Sequence, residues 1–256
     1  MINLSFLQLT VAVLIGLGAG YVGSFMILRR MSLVGDALSH VALPGIAVAI
    51  LFNINPFFGA FAALFLAIWG IWFLEKRTEL PSETLVGVFF TISLALGLLL
   101  TPEPELFEAL FGNISKITKL DLIITVVLVA LTIFLIRKIS DSLMLGIISK
   151  EMALSMKIPV YKINFIFLLL VAFIVALGLK IAGTLLMGSL VIIPAAAAKN
   201  ASVNLSQYTG LAITFGIISS VAGLLFARYF GIEPGPMIVL TAGAIFLGTL
   251  LFKNRI

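Results

Sequence analysis

The chain contains no cysteine and a single histidine, His40. The lack of cysteine excludes a disulfide framework, metal sites built from thiolates and catalysis by a cysteine nucleophile. One histidine excludes the H-E-x-x-H signature of zinc proteases, and the G-x-S-x-G signature of serine hydrolases is absent too. These hydrolase chemistries therefore do not apply to this chain.

Charged residues are also scarce. They make up 11% of the 256 residues, whereas 62% are hydrophobic and the mean hydropathy is +1.26. Soluble domains contain roughly 45–50% apolar residues, so this chain lacks the polar surface that water requires. The composition predicts an all-α integral membrane protein with one transmembrane domain over residues 1–256, long enough for roughly eight to ten spans of ~20 residues.

Nine apolar stretches are separated by residues that helices avoid. The clearest breaks are the proline-containing segments 53–56, 101–104 and 233–236. Because Gly178, Gly183 and Pro194 favour a kink, 163–199 is either two spans or one broken helix, so eight spans is the alternative to nine. The predicted spans are 4–28, 33–53, 57–74, 83–101, 121–136, 163–180, 183–199, 207–227 and 235–252. The first is expected to be a true span, since it is too long for a cleavable signal and no basic residue precedes it.

Basic residues are distributed unevenly between alternate loops. With the end of the first span inside, twelve of the 16 Lys and Arg residues face the cytoplasm and four face outward. Cytoplasmic loops carry such an excess, so the C-terminus is predicted to be cytoplasmic. The inner set is Arg29, Arg30, Lys76, Arg77, Arg137, Lys138, Lys150, Lys157, Lys162, Lys199, Lys253 and Arg255. The outer set is Lys116, Lys119, Lys180 and Arg228.

Residues 139–162 form a cytoplasmic segment that is too long for a turn and too polar to span the membrane. Its mixture of methionine, isoleucine and charged residues predicts one or two amphipathic helices at the inner surface. Two roles fit this pattern. The segment either lies on the membrane or docks a cytoplasmic partner, a contact that methionine-rich surfaces favour.

Two glycine-rich stretches match nucleotide-binding loops only in part. Gly18–Gly23 has the G-x-G-x-x-G spacing but lies inside an apolar span with no preceding strand, and Gly183–Ser189 lacks the lysine of a phosphate loop. We therefore predict no nucleotide site in this chain. Gly16 and Gly20 instead form a G-x-x-x-G spacing, which is typical of closely packed membrane helices.

Asp36 and His40 are four residues apart at the entrance to the second apolar stretch. On a helix such residues share one face. Carboxylate and imidazole together suit zinc, manganese or iron, and ionisable residues inside a membrane are costly and usually functional. No other intramembrane group looks comparably polar. The glutamates near span ends are expected to be solvated: Glu75, Glu79, Glu83, Glu103, Glu105 and Glu108.

Two ligands make an incomplete metal site. A symmetric dimer would supply two aspartates and two histidines, and a site without thiolates would release metal, as passage requires. Metal binding should weaken as His40 protonates at mildly acidic pH, because a metal ligand must be deprotonated. The structural alternatives are that Asp36 caps the helix N-terminus and that His40 is a hydrogen-bonded core residue.

The sequence resembles the permease subunit of ATP-binding-cassette importers for zinc, manganese or iron, the zinc-uptake permease family. The strongest matching motifs are RRMSLVGDALSHVALPGIA at 29–47 and AGTLLMGSLVIIPAAAAK at 182–199. Further matches are PGPMIVLTAGAIFL at 234–247, TELPSETLVGVFF at 78–90 and LFGNI at 110–114. The resemblance extends over nearly the whole chain.

This resemblance implies a homodimer that binds two cytoplasmic ATPase subunits and receives metal from an extracytoplasmic binding protein. It implies that Asp36 and His40 coordinate the transported metal, with no permanent cofactor and no enzymatic activity in this chain. It also implies that the segment around 141–160 contains the coupling helix. Glu151 and Ala153 match the family pattern D-P-E-x-A-x-x-x-G, whereas Ser149 and Lys157 replace its aspartate and glycine.

Two other functions remain open from the sequence. One is import of a larger metal chelate, such as a siderophore or corrinoid, in which Asp36 only caps a helix. The other is a membrane enzyme or assembly subunit without a partner ATPase. Carboxylate and imidazole do not distinguish zinc from manganese or ferrous iron.

Overall fold

The fold is helical throughout the part of the chain that the structure describes. The computed structural model describes residues 5–78, 80–100 and 109–251, and these ranges contain helices and no strand. The helices are α1 (Phe6–Leu28), α2 (Val34–Val41), α3 (Leu43–Leu51), α4 (Pro56–Thr78), α5 (Ser82–Leu100), a 3₁₀ helix (Ile114–Lys116), α6 (Lys119–Ile148), α7 (Lys150–Ser155), α8 (Val160–Ala201), α9 (Leu205–Phe230) and α10 (Pro234–Leu250). The predicted all-α class is confirmed.

Seven of the apolar segments within these ranges are long enough to cross a membrane. They are α1, α2 with α3, α4, α5, α6, the first part of α8 and α9. Two shorter apolar helices, Leu186–Ala201 and Pro234–Leu250, match the remaining predicted spans. The predicted turn at 101–104 lies outside the described residues, as do Glu79, Glu103, Glu105, Glu108, Lys253 and Arg255.

The second predicted span, 33–53, is divided into α2 and α3, which meet at Ala42. Pro44 lies in the first turn of α3. Proline lacks an N–H and its ring collides with the carbonyl four residues earlier, so a single regular helix cannot pass through this point. The break separates the Asp36–His40 helix from the rest of the span.

The ambiguous stretch within α8 is two helices joined at a sharp break. Gly183 has φ 72° and ψ 175°, a conformation that residues with a side chain rarely adopt. Nine residues of a regular helix extend about 13.5 Å, yet the Met187 side chain lies directly against Gly178. The two halves, α8a (Val160–Thr184) and α8b (Leu186–Ala201), are therefore separate helices.

Small residues allow α1 to lie close to α9. A Cβ added to Gly16 would come within 2.5 Å of the Gly216 carbonyl oxygen, and one on Gly20 would overlap the Ala212 carbonyl. This contact confirms the predicted G-x-x-x-G approach. The helices are buried to different extents. In the apolar 18-residue stretch of each helix, 72% is buried for α1 and for α8a, but only 17% for α5.

The first ten residues of the predicted 139–162 segment continue the preceding helix and do not form a separate one. Residues 139–148 continue α6, whose 30 residues extend about 45 Å, well beyond the ~30 Å hydrocarbon layer. No proline interrupts this stretch, so the helix continues past the predicted end of the span at 136. Only α7, Lys150–Ser155, forms a separate helix within 139–162.

Polar groups at both ends of the bundle are buried, which the sequence analysis did not anticipate. Asp121 in α6 accepts a 2.7 Å ion pair from Lys180 in α8a, at the predicted outer end. At the predicted inner end Glu75 is half-buried and accepts hydrogen bonds from Ser82 and Asn164. The expectation that Glu75 is solvated is therefore wrong, because α8 covers it, whereas Glu83 is exposed as expected.

Candidate metal site

The Asp36–His40 helix begins at a tight turn that ends α1. Arg30 adopts the left-handed conformation, with φ 58°, and the Met31 N–H donates to the Met26 carbonyl at 2.9 Å. This hydrogen bond closes α1 in a Schellman motif. Val34 then begins α2. The turn fixes the position of α2 relative to the end of the first span.

Asp36 is the third residue of α2 and not its cap. The N-cap position is Leu33, and no side chain caps this helix. In the described ranges the half-buried carboxylate of Asp36 has no hydrogen bond and no ion pair. The helix-cap interpretation of Asp36 is therefore wrong.

Gly188 provides the space for Asp36. A Cβ on Gly188 would lie 2.5 Å from the Asp36 Cα and 2.7 Å from its Cβ. Any larger residue would push α2 away from α8b. The 182–199 motif thus supplies both the break at Gly183 and the contact at Gly188. Sequence reasoning found the motif but not the role of Gly188, since residues about 150 positions apart share no local pattern.

His40 is buried, with 9% of its surface exposed, and its ring lies edge-on to Phe90 of α5 at a centroid distance of 5.4 Å. Its Nδ1 atom has no hydrogen-bond partner among the described residues. Buried polar atoms are nearly always paired, so an orphaned nitrogen is unusual. The alternative that His40 is a hydrogen-bonded core residue does not fit this environment.

Among the described residues, Asp36 and His40 are not part of a larger cluster of carboxylate, imidazole and thiolate side chains. No group of three or more His, Cys, Asp or Glu residues is gathered within the described ranges. The four-residue spacing places Asp36 and His40 one turn apart on α2, as predicted. Metal sites in proteins usually have four or more ligands, so completion requires groups from outside this chain or water.

The short helix α7 contains both residues of the predicted coupling pattern. Its N-cap, Ser149, accepts a hydrogen bond from the Met152 N–H at 3.1 Å. Ser149 thus caps the N-terminus of α7, a position for which aspartate is equally suited. Glu151 is exposed, whereas Ala153 is fully buried. Ser149 in place of aspartate is therefore a structurally conservative change.

The end of α7 shows how the chain accommodates Lys157, which replaces the glycine of the family pattern. Lys157 has φ 58°, and its N–H donates to the Leu154 carbonyl at 2.9 Å, while the Ile158 N–H donates to the Ala153 carbonyl at 3.0 Å. These two bonds form a Schellman motif whose left-handed position glycine normally occupies. Lys157 keeps the geometry of the turn at the cost of some backbone strain.

Comparison with known proteins identifies the family. The ABC 3 transport family matches residues 1–253 of the chain. The chain belongs to the ABC 3 transport family. It is therefore a multi-pass membrane permease of an ABC transporter and not itself an enzyme, as predicted.

Individual relatives are similar over nearly their whole lengths. The manganese transport system membrane protein MntC of Listeria monocytogenes is 32% identical, covering 98% of this chain and 92% of that protein. The high-affinity zinc uptake system membrane protein ZnuB of Haemophilus influenzae is 31% identical, with full coverage of both. Among solved structures, PsaBC from Streptococcus pneumoniae in complex with Fab matches with a TM-score of 0.85 and 33% identity, covering 97% of this chain and 92% of that chain.

Proposed function

We propose that this chain is the transmembrane subunit of an ATP-driven importer that moves a divalent transition metal into the cytoplasm. The proposed cargo class is manganese, zinc or iron. Relatives named for manganese and zinc transport support the first two, and the Asp–His donor set accepts all three. The whole chain acts as a single transmembrane domain with its C-terminus in the cytoplasm.

The observation that carries this proposal is the unpaired state of Asp36 and His40. A carboxylate and an imidazole without protein partners lie one turn apart on a helix inside an apolar bundle. Burying polar groups without partners costs free energy, and a metal ion satisfies both groups at once. We infer that Asp36 and His40 bind the transported ion.

A homodimer completes the site in this proposal. Phe90 of α5 lies against the His40 ring, yet only 17% of the apolar stretch of α5 is buried. A second copy covering α5 would bury this surface and bring a second Asp36–His40 pair toward the first. Two carboxylates and two imidazoles are enough ligands for a reversible four-coordinate site.

Two further partners follow from the proposal. The chain offers no phosphate-binding loop, so ATP is bound by separate cytoplasmic subunits. The exposed side chains of Met152, Leu154 and Met156 on α7 provide an apolar docking surface for such a subunit. An extracytoplasmic binding protein delivers the ion to the opposite side.

Energised uptake by the complete complex tests this function. Wild type and Asp36→Ala/His40→Ala are compared in proteoliposomes with a mixture of zinc, manganese and iron. We expect the double variant to lose uptake of one metal while the permease–ATPase complex stays assembled. The matched control is Asp141→Ala, which removes an exposed carboxylate from α6 and should transport normally.

Two outcomes contradict the proposal. Unchanged uptake in the double variant would show that the pair is not the transport site. Uptake of a preformed chelate, with no uptake of the free ion by wild type, would identify the larger cargo instead. The chain would then remain a permease, but with a different substrate class.

A further inference from the structure

Four polar residues from four helix ends form an inner polar cluster: Arg29, Glu75, Ser82 and Asn164. Asn164 is 3% exposed, and its Nδ2 donates to Glu75 Oε2 at 3.0 Å and to Ser82 Oγ at 2.8 Å. The Ser82 hydroxyl donates to Glu75 Oε1 at 2.7 Å. These bonds join the base of α8 to the end of α4 and the start of α5. Breaking them inside an apolar bundle is costly, so the three helix ends move together while the bonds last.

Arg29 extends the cluster to the end of α1. Its guanidinium lies 5.1 Å from the ring centroid of Phe167, one turn beyond Asn164 on α8. Burial lowers the pKa of Arg29, and the negative charge of Glu75 opposes that change. The guanidinium is therefore held to α8 by its ring contact and to α4 by charge.

The cluster contains one spare donor and one spare acceptor. Arg29 Nη1 and Asn164 Oδ1 are both buried, and neither has a hydrogen-bond partner within the described ranges. A polar network that is only partly satisfied is less stable than a complete one. A hydrogen bond from Arg29 Nη1 to Asn164 Oδ1 would make this network more complete.

The cluster lies between the proposed coupling helix and the proposed metal site. On one side, the hydrogen bonds after Ala153 and Leu154 tie α7 to the segment that begins α8 at Val160, one turn before Asn164. On the other side, Arg29 caps the C-terminus of α1, and the adjoining turn leads into α2. Contacts through Asn164, Phe167 and Arg29 therefore connect the start of α8 to the turn that precedes α2.

We propose that the inner polar cluster transmits the ATPase movement to the Asp36–His40 helix, with Asn164 as the positioning residue that breaks and remakes its bonds in each cycle. This inference rests on the proposed function. Failure of that function appears as an absence of wild-type uptake. Failure of this inference appears with wild-type uptake intact.

The first test measures the metal transported per ATP hydrolysed by Asn164→Ala in the complete reconstituted complex. We expect this ratio to fall about two- to thirtyfold, the range found for residues that couple two sites. A residue that only stabilises the fold would lower the amount of active complex and leave the ratio unchanged. The matched control is Asn204→Ala, which removes an exposed cap at the start of α9 and should keep the wild-type ratio.

The second test follows the cluster directly and does not depend on how Asn164→Ala folds. Because the chain has no cysteine, Ser82→Cys creates a single thiol next to Asn164. We expect its reaction rate with a small thiol reagent to differ between the nucleotide-free complex and the complex trapped with a non-hydrolysable ATP analogue. The exposed Asp141→Cys variant should react at one rate in both states.

Two results would overturn the inference. One is an unchanged metal-to-ATP ratio in an assembled Asn164→Ala complex. The other is an Ser82→Cys thiol that reacts equally in both nucleotide states, since a cluster that transmits movement must change its packing.

Discussion

Two aspartates of this chain lie near or inside apolar helices and have opposite environments. Asp121, near the start of α6, accepts an ion pair from Lys180 at 2.7 Å and hydrogen bonds from the Thr118 N–H and hydroxyl, each at 2.8 Å. Asp36, in the first turn of α2, has none of these partners in the described ranges. Of these two aspartates, one has its carboxylate satisfied by the protein and the other does not.

The comparison separates a structural role from a binding role. A charge that a bundle needs for stability is fully paired, because an unpaired buried charge costs several kcal/mol, on the order of 3–5 when one partner of a pair is removed. An unpaired carboxylate beside an unpartnered imidazole contributes nothing to stability by itself. In the proposed function, this pair is open to a ligand that arrives from outside.

The largest expected effect is on metal uptake, which distinguishes Asp36 from Asp121. Asp36→Asn should lower metal uptake by more than about a hundredfold, because changes in residues behind the ligands already cost 10–100-fold. The melting temperature of the purified permease should stay the same or rise, since an unpaired charge is removed. Asp121→Asn is the comparison variant, and full uptake by Asp36→Asn would contradict the assignment.

The next largest effect is on the stability of the folded permease, which should depend on the ion pair of Asp121. Lys180→Ala leaves Asp121 as a buried charge without its partner and should destabilise the folded permease by about 3 kcal/mol. Thermal unfolding in detergent measures this change. Adding Asp121→Asn should recover part of the loss, while the selectivity among metals stays that of wild type. A shift in selectivity would show that the ion pair belongs to the transport path.

The third prediction tests the space around Asp36. Gly188→Ala places a methyl group against the Asp36 backbone and should destabilise the packing of α2 by about 1–3 kcal/mol, with a matching loss of metal affinity. Gly210→Ala is the matched control, because no atom lies within 4 Å of the added Cβ. Equal behaviour of the two variants would disprove the close contact.

The smallest effect is a dependence of metal uptake on pH. The region around Asp36 and His40 should cause it, and the region around Asp121 should not. A metal ligand must be deprotonated, so binding through His40 is complete at higher pH and lost as the imidazole protonates. The interval measured runs from neutral to mildly acidic pH. Uptake by wild type should follow this loss. The residual uptake of His40→Ala should not change with pH over that interval.

Much of the fold was predictable because hydropathy and turn chemistry are local. The apolar stretches and the breaks at 53–56 and 233–236 all correspond to observed helices or helix ends. The second span was predicted, but its division into α2 and α3 at Pro44 was not, nor was the continuation of α6 from residue 136 to Ile148. In both places a helix boundary depends on a single residue type that is present or missing.

The polar clusters were not predictable for a different reason. Lys180 lies 59 positions from Asp121, and Asn164 lies 89 positions from Glu75. No periodic pattern links residues so far apart in the sequence. The same limit hid the contact between Gly188 and Asp36, although the sequence alone placed Asp36 and His40 on one helix face.

The sequence by itself determined that this protein is helical and crosses the membrane several times, and it placed a carboxylate and an imidazole one turn apart. Both follow from local properties, namely apolar length and the 3.6-residue helical repeat. Only the tertiary structure decided which acidic groups are paired and which remain open. Pairing is a contact between distant parts of the chain, and in an apolar bundle it determines whether a charge stabilises the fold or is available to a ligand.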